Sequence, residues 1–137
     1  MIGILIVTHA NLGDALADTI EFILGSRPDK MDCISIDIKE DAESLRKKIS
    51  AGIKNVTTEK GVVIFTDMFG GTPSNLSYSF LEEGRIEVIS GINLPILMKA
   101  VNIREKMDIT QMTSTLVEHG KRSISLASEI LRGSKRE

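Results

Sequence analysis

Apolar residues follow two alternating rhythms along this chain. Residues 2–8, rich in β-branched side chains, form a short run that predicts a buried strand. Residues 12–24 then carry Leu12, Leu16, Thr19, Ile20 and Ile23 at helical spacing, and Gly25 and Pro28 close that helix. Residues 31–38 read as a second strand. Leu45, Ile49, Ile53 and Val56 share one face of a helix over residues 42–56. A third strand over 62–66, a short helix over 73–81 stopped near Gly84, and a fourth strand over 85–90 follow. The helix predicted over 95–104 places Leu97, Ala100, Val101 and Arg104 in register. Residues 107–112 suggest a fifth, shorter strand, although Met107, Ile109 and Gln111 or Met112 fit the alternation only in part. A closing helix is expected over 116–131, with Val117, Gly120, Ile124, Ala127 and Leu131 aligned.

Alternating strands and helices predict an α/β fold, a doubly wound and mostly parallel sheet with helices on both faces. The four main strands carry few charges, as strands covered on both faces do. No linker, repeat or low-complexity segment interrupts the pattern, so one domain over residues 1–137 is expected. In such a sheet, ligands bind outside the carboxyl ends of the strands, where the strand order reverses. For the order 2-1-3-4, that point lies between the first and third strands.

Two segments meet there: Thr8-His9-Ala10-Asn11, and Thr66-Asp67-Met68-Phe69-Gly70-Gly71-Thr72-Pro73-Ser74-Asn75. Neutral imidazole is a nitrogen nucleophile near pH 7 and can hold a phosphoryl group as a labile phosphoramidate. A carboxylate at the other ring nitrogen would orient the ring and stabilise the charge that develops during transfer. His9 and Asp67 are therefore the candidate catalytic pair. Gly70 and Gly71 can turn backbone N–H groups toward an anion. Thr72-Pro73 has the form of an N-cap and first helical position, whose free N–H groups favour phosphate. Thr66, Gly70, Gly71, Thr72 and Ser74 form the candidate phosphate-binding set. Gly91-Ile92-Asn93-Leu94-Pro95 resembles a capped turn at the same sheet edge and could line the crevice. Met68 and Phe69 suit either a partner contact or packing beneath the loop. His119 reads as a surface helix residue, and Cys33 as a structural thiol in an apolar stretch.

Composition narrows the classes. The net charge is −2, and no long basic run gives the electrostatic footprint of a nucleic-acid binder. The apolar N-terminus lacks a basic flank and is shorter than the ~20 residues that span a bilayer, so a cytoplasmic location without membrane insertion is expected. No cluster of oxygen ligands stands beside Asp67, so no metal is expected.

Residues 1–9, the segment Phe65-Thr66-Asp67-Met68-Phe69-Gly70-Gly71-Thr72-Pro73-Ser74-Asn75 and Gly91-Ile92-Asn93-Leu94-Pro95 together resemble the enzyme IIA component of mannose-family sugar phosphotransferase systems. The Gly-Gly-Thr-Pro turn is the most specific part. The resemblance implies that His9 takes a phosphoryl group on Nε2 from phosphohistidine on the carrier HPr. The group then passes to a histidine of the IIB component, and so to sugar entering through the membrane components IIC and IID. It implies that the intermediate is covalent phosphohistidine with no cofactor, that Asp67 bonds the active histidine, and that IIB is a separate polypeptide. It also implies the order 2-1-3-4 and a homodimer whose subunits exchange a fifth antiparallel edge strand, for which residues 107–112 are the candidate. Two alternatives stand beside it. One is the phosphoryl donor subunit of dihydroxyacetone kinase, which resembles the chain at the first strand and the histidine. The other is a non-catalytic regulatory domain of flavodoxin-like shape.

Overall fold

The computed structural model describes the backbone of residues 1–136 and side chains through residue 133. The elements run β1 (Gly3–His9), α1 (Leu12–Leu24), β2 (Met31–Ile36), α2 (Ala42–Val56), β3 (Val62–Thr66), α3 (Thr72–Tyr78), β4 (Ile86–Ser90), α4 (Leu94–Ile103), α5 (Ile109–Arg122) and α6 (Ala127–Arg136). The strands form one four-stranded sheet in the order β2-β1-β3-β4. Every pairing is parallel. Register sets His9 beside Ile36, Thr66 beside Val7, and Ser90 beside Thr66, so the carboxyl ends of all four strands share one edge.

Alternation along the strands divides the core in two. Ile4, Ile6, Val63 and Phe65 face Ile20, Leu97, Ala100, Met112 and Leu116 from α1, α4 and α5. Leu5, Val7, Val62 and Ile64 face Leu45, Ile49, Ile53 and Val56 of α2 and Leu76 of α3. Each such side chain contributes about 1.5–3 kcal/mol on burial, so β1 and β3 have no polar face to offer water. Asp41 caps α2 by accepting from the Ser44 N–H, and Asn93 caps α4 by accepting from the Ile96 N–H.

Two expectations fail near the C-terminus. Residues 107–112 are not a strand, and no fifth antiparallel strand joins the sheet among the described residues. Asp108 is instead the N-cap of α5, accepting from the Gln111 N–H at 2.8 Å, while the Gln111 side chain accepts from the Asp108 N–H at 3.3 Å. This capping box directs the chain into a helix, and Ile109, Met112, Leu116 and Gly120 then fall on its buried face. The helix expected over 116–131 is also interrupted. α5 ends at Arg122, and α6 begins at Ala127. Ile124, Leu126, Ile130 and Leu131 in this last stretch are exposed.

The start of β1 passes so close to the end of α2 that a Cβ at Gly3 would lie 2.1 Å from the Val56 carbonyl oxygen. Neither backbone can yield without disturbing the central strand. Gly3→Ala is therefore expected to cost about 1–3 kcal/mol, read as a lower urea midpoint with an unchanged slope.

Candidate active site

β1 delivers His9 and β3 delivers Asp67 to the same sheet edge, because the strands are adjacent and parallel. One carboxylate oxygen, Asp67 Oδ2, accepts from the His9 backbone N–H at 2.8 Å and lies 2.8 Å from His9 Nδ1. The other, Oδ1, accepts from the Met68 N–H at 2.9 Å. An ionised carboxylate only accepts, so Nδ1 carries a proton, and in the neutral ring the lone pair is on Nε2. The His9 side chain is 37% exposed, whereas that of Asp67 is only 10% exposed. Burial works to raise the Asp67 carboxyl, but the hydrogen bonds from the His9 backbone and ring, with that from Met68, hold it below its ordinary value.

This lowering has a definite sign. A carboxyl whose folded value is depressed contributes stability above its unfolded value of about 3.9, and that stability is lost as pH falls through the folded value. Asp67→Asn is therefore expected to flatten the acid limb of the stability curve, measured as urea midpoints in a series of buffers below about pH 4.

The chain leaves β1 through Ala10, whose φ of 49° is unusual for a residue with a side chain and marks local strain beside the histidine. Across the crevice, Gly70 takes a left-handed φ of 87°. Gly71 has an ordinary φ of −88°, so its need for glycine is spatial. A Cβ there would lie 2.8 Å from His9 Cε1 and 3.4 Å from Nε2. The peptide at Gly71 is thus the wall against which the ring stands. Among the described residues, the N–H groups of Phe69, Gly70 and Gly71 have no acceptor in the chain.

Some expected site residues lie elsewhere. Thr72 is not the N-cap of α3. Gly71 holds that position, with Pro73 in the first turn and no side-chain cap, because the helix begins one residue early. Thr66 and Ser74 are fully buried beneath the loop. Their hydroxyls are 2.5 Å apart, and both contact Ser90. The turn after β4 is tied to the end of β3, because the Gly91 and Ile92 N–H groups bond to the Thr66 carbonyl. A groove of about 480 Å³ opens on the other side of His9, lined by Ala10, Asn11, Ser35, Ile36, Asp37 and Ile38. Residues 35–38 were missed by sequence reasoning. The signal was available, since the order 2-1-3-4 puts the end of β2 next to that of β1.

The family model EIIA-man, described as the PTS system fructose IIA component, matches residues 3–117. The chain belongs to the EIIA-man family. It is 29% identical over 132 residues to the PTS system fructose-specific EIIA component of Bacillus subtilis (strain 168), covering 96% of this chain and 90% of that one. It is 30% identical over 125 residues to the PTS system mannose-specific EIIAB component of Escherichia coli (strain K12), covering 90% of this chain but only 38% of that longer protein. The crystal structure of phosphotransferase system component EIIA from Streptococcus agalactiae superposes with a TM-score of 0.84 at 26% identity, covering 94% of this chain and 99% of that one. In this EIIA-man chain, Cys33 and His119 stand apart from the His9–Asp67 pair. Burial pushes the Cys33 thiol up to about 12, and its Sγ faces the Gly13 carbonyl, so it is no thiolate nucleophile. His119 is half-buried on α5 and lines a separate cavity with Pro95 and Met98. Among the described residues, no group of three or more His, Cys, Asp or Glu side chains could hold a metal, and no helix is long and apolar enough to cross a membrane.

Proposed function

We propose that this EIIA-man chain carries a phosphoryl group on His9 Nε2, between phosphohistidine of HPr and a histidine of a IIB component. The observation that carries this reading is the pairing of Nδ1 with Asp67, which leaves Nε2 of a 37% exposed side chain as the nitrogen available for attack. The Nε2 lone pair forms the new N–P bond as the donor's N–P bond breaks, and that bond's electron pair stays on the donor imidazole. The Nδ1 proton remains between His9 and Asp67, so the positive charge gained by the ring lies against a carboxylate. The N–H groups of Gly70, Gly71 and Thr72 serve the phosphoryl oxygens, while the buried Thr66 and Ser74 support the loop that presents them. Transfer to IIB then feeds phosphorylation of a sugar entering through IIC and IID. No cofactor or metal takes part.

Incubation with phosphoenolpyruvate, the first enzyme of the system and HPr tests the proposal. Acid-labile, base-stable label on His9 is expected, followed by its transfer to IIB. A chain that takes no label from phospho-HPr is not this carrier, and a label that passes to a dihydroxyacetone kinase subunit but not to IIB assigns the other system. Asp67→Asn is expected to slow labelling about tenfold to a hundredfold without abolishing it, in rapid-quench measurements. That is the scale of one charge-assisted hydrogen bond.

We also propose that the protein works as a homodimer. β4 has a neighbour on one side only, and the apolar side chains of Ile124, Leu126, Ile130 and Leu131 are exposed in the single chain. An open strand edge and an apolar stretch of this kind are covered in obligate assemblies. Sedimentation at low micromolar concentration is expected to show twice the chain mass, and a species of 15.0 kDa there excludes the dimer.

A further inference from the structure

Beneath the active-site loop lies a cluster of hydroxyls that phosphoryl transfer does not touch directly. Ser74 and Thr66 are fully buried. Ser74 Oγ donates to the Met68 carbonyl at 2.5 Å. Thr66 Oγ1 donates to Ser90 Oγ at 2.8 Å, and the Tyr78 hydroxyl lies 3.0 Å from the same Ser90 oxygen. Ser74 Oγ is itself 2.5 Å from Thr66 Oγ1 and 3.0 Å from Ser90 Oγ. A carbonyl only accepts, so the one proton of Ser74 belongs to Met68. Thr66 gives its one proton to Ser90, so Ser74 receives its own hydrogen bond from Ser90 at 3.0 Å, which strengthens it as a donor.

The consequence reaches the crevice through the peptide plane. Among the described residues no peptide bond is cis. In a trans peptide the C=O and the following N–H point in opposite directions. The Met68 carbonyl is held inward on Ser74, so the Phe69 N–H points away from that hydroxyl. It has no acceptor among the described residues, and the Phe69 side chain beyond it is 78% exposed. Gly70 and Gly71 follow directly, and Gly71 borders His9 Nε2.

We infer that Ser74 is a positioning residue for phosphoryl transfer: by holding the Met68 carbonyl inward it presents the Phe69 N–H, together with those of Gly70 and Gly71, to the phosphoryl oxygens. Without the hydroxyl, the peptide between residues 68 and 69 is free to rotate and to turn a carbonyl, not a donor, toward the incoming dianion. This rests on the proposal that His9 carries the phosphoryl group. Wild type that takes no label defeats that reading, whereas wild type that labels while Ser74 proves indifferent defeats this one alone.

Ser74→Ala removes the donor, and Ser74→Cys keeps nearly the same size with a weak one. Single-turnover transfer from phospho-HPr is expected to slow about five- to tenfold in Ser74→Ala and by less in Ser74→Cys, with the apparent affinity for HPr unchanged. A second readout separates positioning from packing. On phosphorylation of wild type, the Phe69 amide proton resonance moves downfield, and in Ser74→Ala this movement is lost. A rate equal to wild type in Ser74→Ala, or a slowed variant whose Phe69 amide still shifts in full, overturns the inference. If Ser74→Ala does not fold, the Cys variant decides, and a wild-type rate and amide shift there overturn it equally.

Discussion

His9→Gln yields a folded chain that takes up no acid-labile phosphoryl group from phospho-HPr. The side chain of Gln reaches a similar distance and still offers a nitrogen. Its amide nitrogen has a delocalised lone pair, however, and cannot attack phosphorus as Nε2 of a neutral imidazole can. The fold survives because the His9 side chain is 37% exposed and leaves no sealed cavity, and the backbone N–H of residue 9 keeps its bond to Asp67 Oδ2. Thermal or urea midpoints within about 1 kcal/mol of wild type, with labelling reduced to background, are the expected pair of results. Label persisting on the variant, at His119 or elsewhere, removes His9 from the role.

The second large effect comes from a methyl group. Gly71→Ala is expected to slow phosphoryl transfer about a hundredfold while leaving stability unchanged or slightly raised. Its φ of −88° and ψ of 169° are open to alanine, so the backbone is not strained by the change. Loss of a glycine also reduces the freedom of the unfolded chain, by about 0.4–1 kcal/mol. The new Cβ, however, would stand 2.8 Å from His9 Cε1, inside van der Waals contact. The ring must move, and with it both the Nδ1 bond to Asp67 and the direction of the Nε2 lone pair. Misplacement of a reacting atom by about 1 Å costs on the order of a hundredfold. Rapid-quench transfer rates beside urea denaturation check this. A fast variant shows that the loop yields, and an unfolded one that Gly71 serves the fold before the chemistry.

How much of this was legible in the sequence varies from element to element, for physical reasons. α1, α2 and β3 lie where the hydrophobic rhythm places them, because burial on a covered sheet demands unbroken apolar strands and one apolar helix face. His9 and Asp67 follow from strand alternation and the rule that α/β sites open at carboxyl strand ends. At residues 107–112 the alternation is only partial, and the expected strand rested chiefly on the family resemblance. Asp108 and Gln111, three residues apart, were the stronger local signal, and the period of Ile109, Met112, Leu116 and Gly120 agreed with it.

The sequence by itself therefore determined the fold class, the parallel sheet and the chemical identity of the pair at its edge, since these depend on residue type and period. Tertiary structure alone decided what each loop residue does. Thr72 and Ser74 sit two apart in one polar run, yet one is exposed and the other is fully buried on the Met68 carbonyl. Gly70 and Gly71 are adjacent and identical in composition, yet one supplies a left-handed turn and the other supplies room for an imidazole ring. The groove wall at residues 35–38 arises because parallel pairing sets Ile36 beside His9, across 27 positions of chain. Periodicity records only which way a side chain faces along its own element. Which atoms it then meets depends on how neighbouring elements close over it.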